Sequence, residues 1–506
     1  MWFTSCDGDR PALVDAGGIL RYSDLDERVS RACAALLDGA ADLDEARVAC
    51  LIPPGRDYVS ALAGIWRAGG VAVPLAPSHP PAEHDYVIRD AGASVVVADE
   101  ALAARVSASA RAVGARLLTP ADLVRASPGP EPPPIAARRA MMLYTSGTTG
   151  RPKGVVTTHA NVDAQVGSLL GAWGWTRDDR ALLALPLHHV HGIVNVLCSA
   201  LACGAVCEML PAFDARAVWA RLASGGITVF TAVPTIYYRL IQQWETEPAL
   251  RAARSAGARR LRLMMSGSAA LPIQTLERWR EITGHVLLER YGMTEIGMAL
   301  SNPLDGERRP GCVGQPLPGV QVRIVDESGA PVQPGTAGEI EVRGPGVFLE
   351  YWRRPEATAA AFRDGWFRTG DTAVVEGGSY RLLGRTCVDI LKTGGFKVSA
   401  LEIEDVLRQH PAIADCAVVG VDDEQWGQRV CAAVQPRSGA GLDPADLEAW
   451  LAERLAPYKR PRTIRVVDVL PRNAMGKVVK PDVADWFVRQ REPSDGPART
   501  HGSSGL

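Results

Sequence analysis

The segment Leu143-Tyr144-Thr145-Ser146-Gly147-Thr148-Thr149-Gly150-Arg151-Pro152-Lys153-Gly154 concentrates groups that can hold an anion. Its glycines, Gly147, Gly150 and Gly154, let backbone N–H groups approach a ligand closely. The hydroxyls of Thr145, Ser146, Thr148 and Thr149 add donors, and Lys153 adds positive charge. A polyphosphate calls for that combination. The segment fails the Walker A pattern, because only two residues separate Gly147 from Gly150 and Pro152 precedes the lysine. By composition alone, a Ser/Thr/Gly-rich surface loop stays open as the alternative.

Further stretches follow in chain order: Leu185-Pro186-Leu187-His188-His189-Val190-His191-Gly192, Tyr291-Gly292-Met293-Thr294-Glu295, Gly365-Trp366-Phe367-Arg368-Thr369-Gly370-Asp371, Leu391-Lys392-Thr393-Gly394-Gly395-Phe396-Lys397, and Pro471-Arg472-Asn473-Ala474-Met475-Gly476-Lys477. Taken singly, each has a plain structural explanation. Glu295 could close a turn, Asp371 and Arg385 could be surface ion-pair members, and Lys477 could be a solvated lysine. The histidines have no acidic or cysteine neighbours at metal spacing, so zinc is not expected.

The elements that must carry these residues read as α/β. Val48-Ala49-Cys50-Leu51-Ile52, Val71-Ala72-Val73-Pro74-Leu75 and Ser94-Val95-Val96-Val97-Ala98 are apolar strands, with a helix from Tyr58 to Ala68 between the first two. Strand, helix and strand at this pace predict parallel pairing. The pattern continues through Val229–Val233 and Leu261–Met265. Beyond Leu300, shorter alternating runs at Val320–Val325 and Gly338–Gly344 predict antiparallel strands. From Arg385 a smaller α+β unit is expected, with helices Ala400–Gln409 and Pro444–Leu455 and strands Asp415–Val421 and Ile464–Val467. Residues 1–384 and 385–491 form the two expected domains, and 492–506 a polar tail expected to be disordered.

Composition narrows the function. Of 506 residues, Lys plus Arg number 55 and Asp plus Glu 57, a net charge of −2. That balance gives no electrostatic case for nucleic acid or an anionic membrane. The apolar stretch Ala181–Leu210 is broken by Pro186, three histidines and Glu208, so buried core is expected there. The start of the chain lacks a secretory pattern, and the ten scattered cysteines suit a reducing cytoplasm.

Together and in this order, the motifs resemble those of the adenylate-forming superfamily of acyl-CoA synthetases, adenylation domains and luciferases. The resemblance covers nearly the whole chain. It implies a large N-terminal domain of parallel-sheet α/β subdomains plus a small β-barrel-like subdomain, followed by a small mobile C-terminal domain. It implies that Thr145, Ser146, Gly147, Thr148, Thr149, Gly150 and Lys153 hold phosphate, with Ser268, Ala269 and Ala270 also in the nucleotide site. Tyr291 would stack on adenine, Thr294 would contact the phosphate and carboxylate region, and Glu295 would bind Mg²⁺. Asp371 and Arg385 would contact ribose. Lys477 would bridge the reacting oxygens during adenylation, and Lys392, Gly394 and Gly395 would line the tunnel for the CoA arm after domain rotation. The family's hinge residue is not assignable from Thr386-Cys387-Val388-Asp389.

Two features bear on the acid. His189 resembles the histidine that gates the acyl pocket in the family, and His188 and His191 are additional. Arg290 directly precedes Tyr291, which by resemblance places it at that pocket. A monocarboxylate would give it no partner, whereas a second substrate carboxylate would. The runs Leu288–Glu295, Ser266–Pro272 and His189–Gly192 resemble malonyl-CoA synthetases, which implies acyl contacts by Arg290, Ser266, His189 and His191. Arg290 paired with Glu289 or Glu295 as framework is the alternative. The expected function is an ATP-, Mg²⁺- and CoA-dependent ligase for malonate or a small substituted malonate. Loading of a carrier protein in trans, ligation of another short acid, or nucleotide binding without catalysis are the competing readings.

Overall fold

The computed structural model describes residues 8–145, 151–386, 388–439, 441–473 and 476–488. The expected phosphate-loop residues Ser146, Gly147, Thr148, Thr149 and Gly150, and the expected disordered tail, lie outside the described residues. The chain divides into two compact units, Met1–Leu382 and Leu383–Leu506.

Strands that are apolar on both faces end up in the middle of sheets covered on both sides. Arg47–Leu51 has Val71–Pro74 and Val95–Ala98 as parallel neighbours. They belong to a seven-stranded sheet in the order Glu350–Tyr351, Lys153–Thr158, Arg139–Thr145, Val71–Pro74, Arg47–Leu51, Val95–Ala98, Arg116–Leu118. The connecting helix Arg56–Arg67 is buried over most of its length. It packs on Tyr22–Leu37, a helix the sequence pattern did not single out. Gly64 permits that packing: a Cβ there would lie 2.6 Å from Ala32 Cβ.

A nine-stranded sheet forms the other half of this α/β framework. Its centre runs Leu288–Met293, Leu263–Ser266, Val229–Ala232, Arg180–Leu183, Val206–Met209 and Pro11–Asp15, all parallel. The apolar stretch Ala181–Leu210 is core, as its interruptions indicated. It folds as strand, short helices with a π-helical run at Ile193–Cys198, and strand. Glu208 is buried within it and pairs with Arg180 and Arg221. Among the described residues no helix is long and apolar enough to cross a membrane.

Beyond Leu288–Met293 the first unit pairs antiparallel, first through Gly297–Ser301 and then with Gln321–Val325, Gly338–Arg343, Trp366–Glu376 and Phe362–Arg363 side by side. The second unit is α+β. Ile390–Thr393 and Phe396–Ser399 form a hairpin whose Thr393 faces Phe396 in register. Gly394 and Gly395 are therefore its two loop residues, both at positive φ (57° and 82°). A two-residue turn that matches strand twist needs that geometry, which glycine adopts without strain.

The large helical side chains of the first unit interlock around Trp219, which is fully buried and stacked on Trp279 at 5.4 Å between ring centroids. Trp219→Ala is expected to destabilise the first unit by about 3–5 kcal/mol, through lost transfer energy and the cavity left behind. Urea unfolding followed by tryptophan fluorescence measures it.

Candidate active site

The carboxyl ends of parallel strands form a crevice where open α/β sheets bind ligands. Here the strand Leu288–Met293 delivers Arg290, Leu263–Ser266 delivers Ser266, and Val229–Ala232 delivers Thr231. His191 comes from the short helix Val190–Gly192, just before the π-helical run. Its Nε2 meets Arg290 Nη2 and lies 2.9 Å from Thr231 Oγ1, and its Nδ1 lies 3.2 Å from Ser268 Oγ. A guanidinium can only donate, so Nε2 accepts and Nδ1 carries the hydrogen towards Ser268. The geometry therefore specifies a neutral His191.

Arg290 is 3% exposed. Among the described residues its Nε and Nη1 have no hydrogen-bond partner, and neither does the fully buried Ser266 Oγ. Burial lowers the guanidinium from its ordinary value to about 10. The framework alternative does not hold: no carboxylate pairs with Arg290 among the described residues. The Glu289 carboxylate accepts from Gly311 N instead. Unmet donors on a buried cation are costly, and an anionic ligand group placed there would satisfy them. The turn after Ser266 is shaped around this guanidinium. A Cβ on Gly267 would lie 2.3 Å from Arg290 Nη1, and Ser268 adopts the left-handed region at φ 68°.

His188 and His189 stand beside one another, with ring centroids 4.1 Å apart. Burial, reinforced by His189 and His79, pushes His188 down to about 2, so it stays neutral. His191, which the sequence grouped with Arg290, Ser266 and His189 at the acyl pocket, contacts the arginine.

A second group of residues links motifs distant in sequence. The Tyr291 hydroxyl donates to Asp371 Oδ2 at 2.5 Å, and Asp371 N donates to Thr369 Oγ1 at 3.0 Å. Thr145 and Lys153 are register partners on antiparallel strands, so the two ends of the glycine-rich loop are held together. Lys153 Nζ lies 5.0 Å from the centroid of the Tyr351 ring. The Tyr351 hydroxyl donates to Glu295 Oε1 at 2.9 Å. The backbone adds a clamp, with Phe348 N donating to Glu295 O at 2.7 Å. Tyr351 was missed by sequence reasoning, since nothing in the local run Glu350-Tyr351-Trp352-Arg353 marks it. Thr294 lines a small cavity with Leu143, Val155, Val190 and Val194. Ala269 and Ala270 are exposed on the turn that follows Ser268.

The second unit carries the remaining residues. Lys477 closes a tight turn: its N–H donates to Asn473 Oδ1 at 3.0 Å, and Asn473 N donates to Lys477 O at 2.9 Å. Arg385 N donates to Asp389 Oδ2 at 2.9 Å. Asp389 in turn accepts from Lys480 at 2.5 Å, and Lys480 also pairs with Glu404 at 2.7 Å. Lys392, Gly394 and Gly395 line a cleft with Phe396, Lys397 and Trp426. A Cβ on Gly394 would press on the Trp426 ring at 3.1 Å.

Comparison with known proteins places this geometry. The chain is 48% identical over 525 aligned residues to "Malonate--CoA ligase ACSF3, mitochondrial" of Mus musculus, covering 96% of this chain and 89% of the relative. The protein of the same name from Homo sapiens is 48% identical over 94% of this chain and 89% of its own length. The crystal structure of ATP-bound MatB from Rhodopseudomonas palustris superposes with a TM-score of 0.90 at 36% identity, covering 96% of this chain and 97% of that one. The expected cytoplasmic location is corrected by these relatives, which are mitochondrial by name. All eight described cysteines are free, which suits any reducing compartment and so could not select one. The AMP-binding enzyme model matches residues 3–352 and the AMP-binding enzyme C-terminal domain matches residues 402–477; the chain belongs to the AMP-binding enzyme family.

Proposed function

We propose that this protein is an AMP-forming malonate–CoA ligase. The observation that carries the reading is Arg290, a buried guanidinium with two donor nitrogens unmet among the described residues. Malonate supplies a distal carboxylate to meet them, aided by Ser266 and the neutral His191, while its other carboxylate reacts. The names of the relatives support the same substrate.

In the first half-reaction the free carboxylate attacks the α-phosphorus of ATP and pyrophosphate leaves. Positioning and charge neutralisation do most of the work in such a displacement. The glycine-rich loop, anchored by Thr145 and Lys153, would cradle the phosphates. Tyr291 and Asp371, already joined by a hydrogen bond, would receive adenine and ribose. Lys477 would follow charge as it moves from the carboxylate to pyrophosphate, which suits a point charge on a flexible stem. Arg385 would contact ribose. Glu295 fits Mg²⁺, since a single hard carboxylate suffices for an ion that keeps waters and shares phosphate oxygens. When bound, Mg²⁺ neutralises phosphate charge. In the second half-reaction the CoA thiol attacks the acyl-adenylate, releasing AMP, with the Lys392, Gly394 and Gly395 cleft receiving the CoA arm.

Product mass spectrometry with ATP, Mg²⁺ and CoA tests the reading, offering malonate, methylmalonate, succinate, acetate and a medium-chain fatty acid separately. Malonyl-CoA is expected to dominate. Efficient turnover of acetate with malonate ignored overturns the reading, and adenylate without any CoA ester points to a carrier-protein acceptor.

Arg290→Ala is expected to lower kcat/KM for malonate by about 10²–10³-fold, the cost of removing one partner of a buried charge pair. Acetate turnover should change far less. Gly267→Ala displaces the guanidinium without removing it, and a loss of about 10²-fold for malonate is expected in steady-state kinetics. Because burial lowers Arg290 to about 10, the free enzyme loses this charge as pH rises through that value. The pH profile of kcat/KM for malonate should fall above pH about 10, and Arg290→Lys should move that limb.

A further inference from the structure

Tyr351 is shared by the two motifs that would hold the polyphosphate, although it belongs to neither. It lies on the edge strand Glu350–Tyr351, and its register partner there is Val155, two residues beyond Lys153. Its N–H donates to Thr358 Oγ1 at 3.0 Å, which fixes the backbone at that point. From there the side chain runs to Glu295, where its hydroxyl donates to Oε1 at 2.9 Å. The ring meanwhile carries Lys153 Nζ at 5.0 Å from its centroid, within cation–π range. Phe348 packs edge-on against the same ring at 4.7 Å, and its N–H holds the Glu295 carbonyl. A lysine and a glutamate that could have neutralised each other are thus kept on opposite ends of one tyrosine.

We propose that Tyr351 is a positioning residue, which orients the Glu295 carboxylate for the nucleotide-bound divalent cation and, through its ring, holds the Lys153 ammonium for the phosphates. This rests on the nucleotide site proposed above. Mg²⁺ keeps several waters and takes only one or two protein carboxylates, so the orientation of a single carboxylate matters to its binding. A hydrogen bond to a charged group is worth about 1.5–3 kcal/mol, so its loss corresponds to roughly tenfold or more.

Two substitutions separate the tasks. Tyr351→Phe removes the hydroxyl and keeps the ring, while Tyr351→Leu removes both. Binding of a non-hydrolysable ATP analogue is measured by calorimetry across a Mg²⁺ titration, with Mn²⁺ electron paramagnetic resonance reporting the cation directly. For Tyr351→Phe, the half-saturating Mg²⁺ concentration should rise about tenfold, with analogue affinity at saturating Mg²⁺ within about twofold of the parent. Tyr351→Leu should weaken the analogue by a further factor of about three at saturating Mg²⁺, from the lost cation–π contact. Thioester formation from supplied malonyl-adenylate and CoA, which involves neither pyrophosphate nor its cation, should be unchanged in both. Unaltered Mg²⁺ and Mn²⁺ dependence in Tyr351→Phe overturns the proposal. An equal loss in the thioester half also overturns it, because it marks a purely structural role. Failure of the parent protein to adenylate malonate would instead sink the ligase reading, and the nucleotide-binding measurements would still decide the role of Tyr351.

Discussion

A guanidinium buried inside an α/β crevice imposes demands on everything around it. Arg290 is almost wholly enclosed, with no carboxylate against it among the described residues. Several local features answer to its presence. Residue 267 is glycine, and a Cβ there would push the guanidinium aside. Ser268 accepts a left-handed backbone to continue the turn. His191 must be neutral, since its Nε2 faces a group that only donates. What remains unmet is a pair of donors directed at no protein acceptor among the described residues. That residual demand, rather than any catalytic group, gives the site its preference in the proposed reading.

The group of residues around Tyr291 and Glu295 is organised differently. Hydrogen bonds within it join motifs separated by tens of residues: Tyr291 to Asp371, and Glu295 to Tyr351. Each tie couples the α/β framework to the antiparallel region that follows it, or to the edge strand that crosses between them. Residues from three sheets are thereby brought together. In the second unit a chain of charges, from Asp389 through Lys480 to Glu404, holds the segment after Arg385 against the helix that follows the Lys477 turn. Arg385 is thereby tied, through Asp389 and Lys480, to the helix that follows Lys477.

Much of this was legible from the sequence. The strands at Val48, Val71 and Val95 could be read because apolar residues on both faces leave few alternatives to a covered parallel sheet. The change to antiparallel pairing after Leu300 was legible for the converse reason, since alternation reports one wet face. Helix Tyr22–Leu37 was not singled out, although Leu25, Val29, Ala32 and Leu36 recur at helical spacing and are fully buried. Residues of the site were found where a motif surrounded them. Tyr351 was not, because its importance lies in an ion and a carboxylate reached only across the fold.

The sequence by itself determined the family, the order of the motifs and the presence of an arginine beside Tyr291, because these depend on residue types at fixed spacing. Whether that arginine was framework or ligand site could not be settled that way. Glu289 is adjacent in sequence and Glu295 a little further on, and proximity along the chain says nothing about which side chains meet. Alternation along Leu288–Met293 turns neighbours to opposite faces, so Glu289 met Gly311 while Arg290 met His191. Only the packing of separate strands and helices decided that the guanidinium's remaining donors would meet no protein acceptor among the described residues.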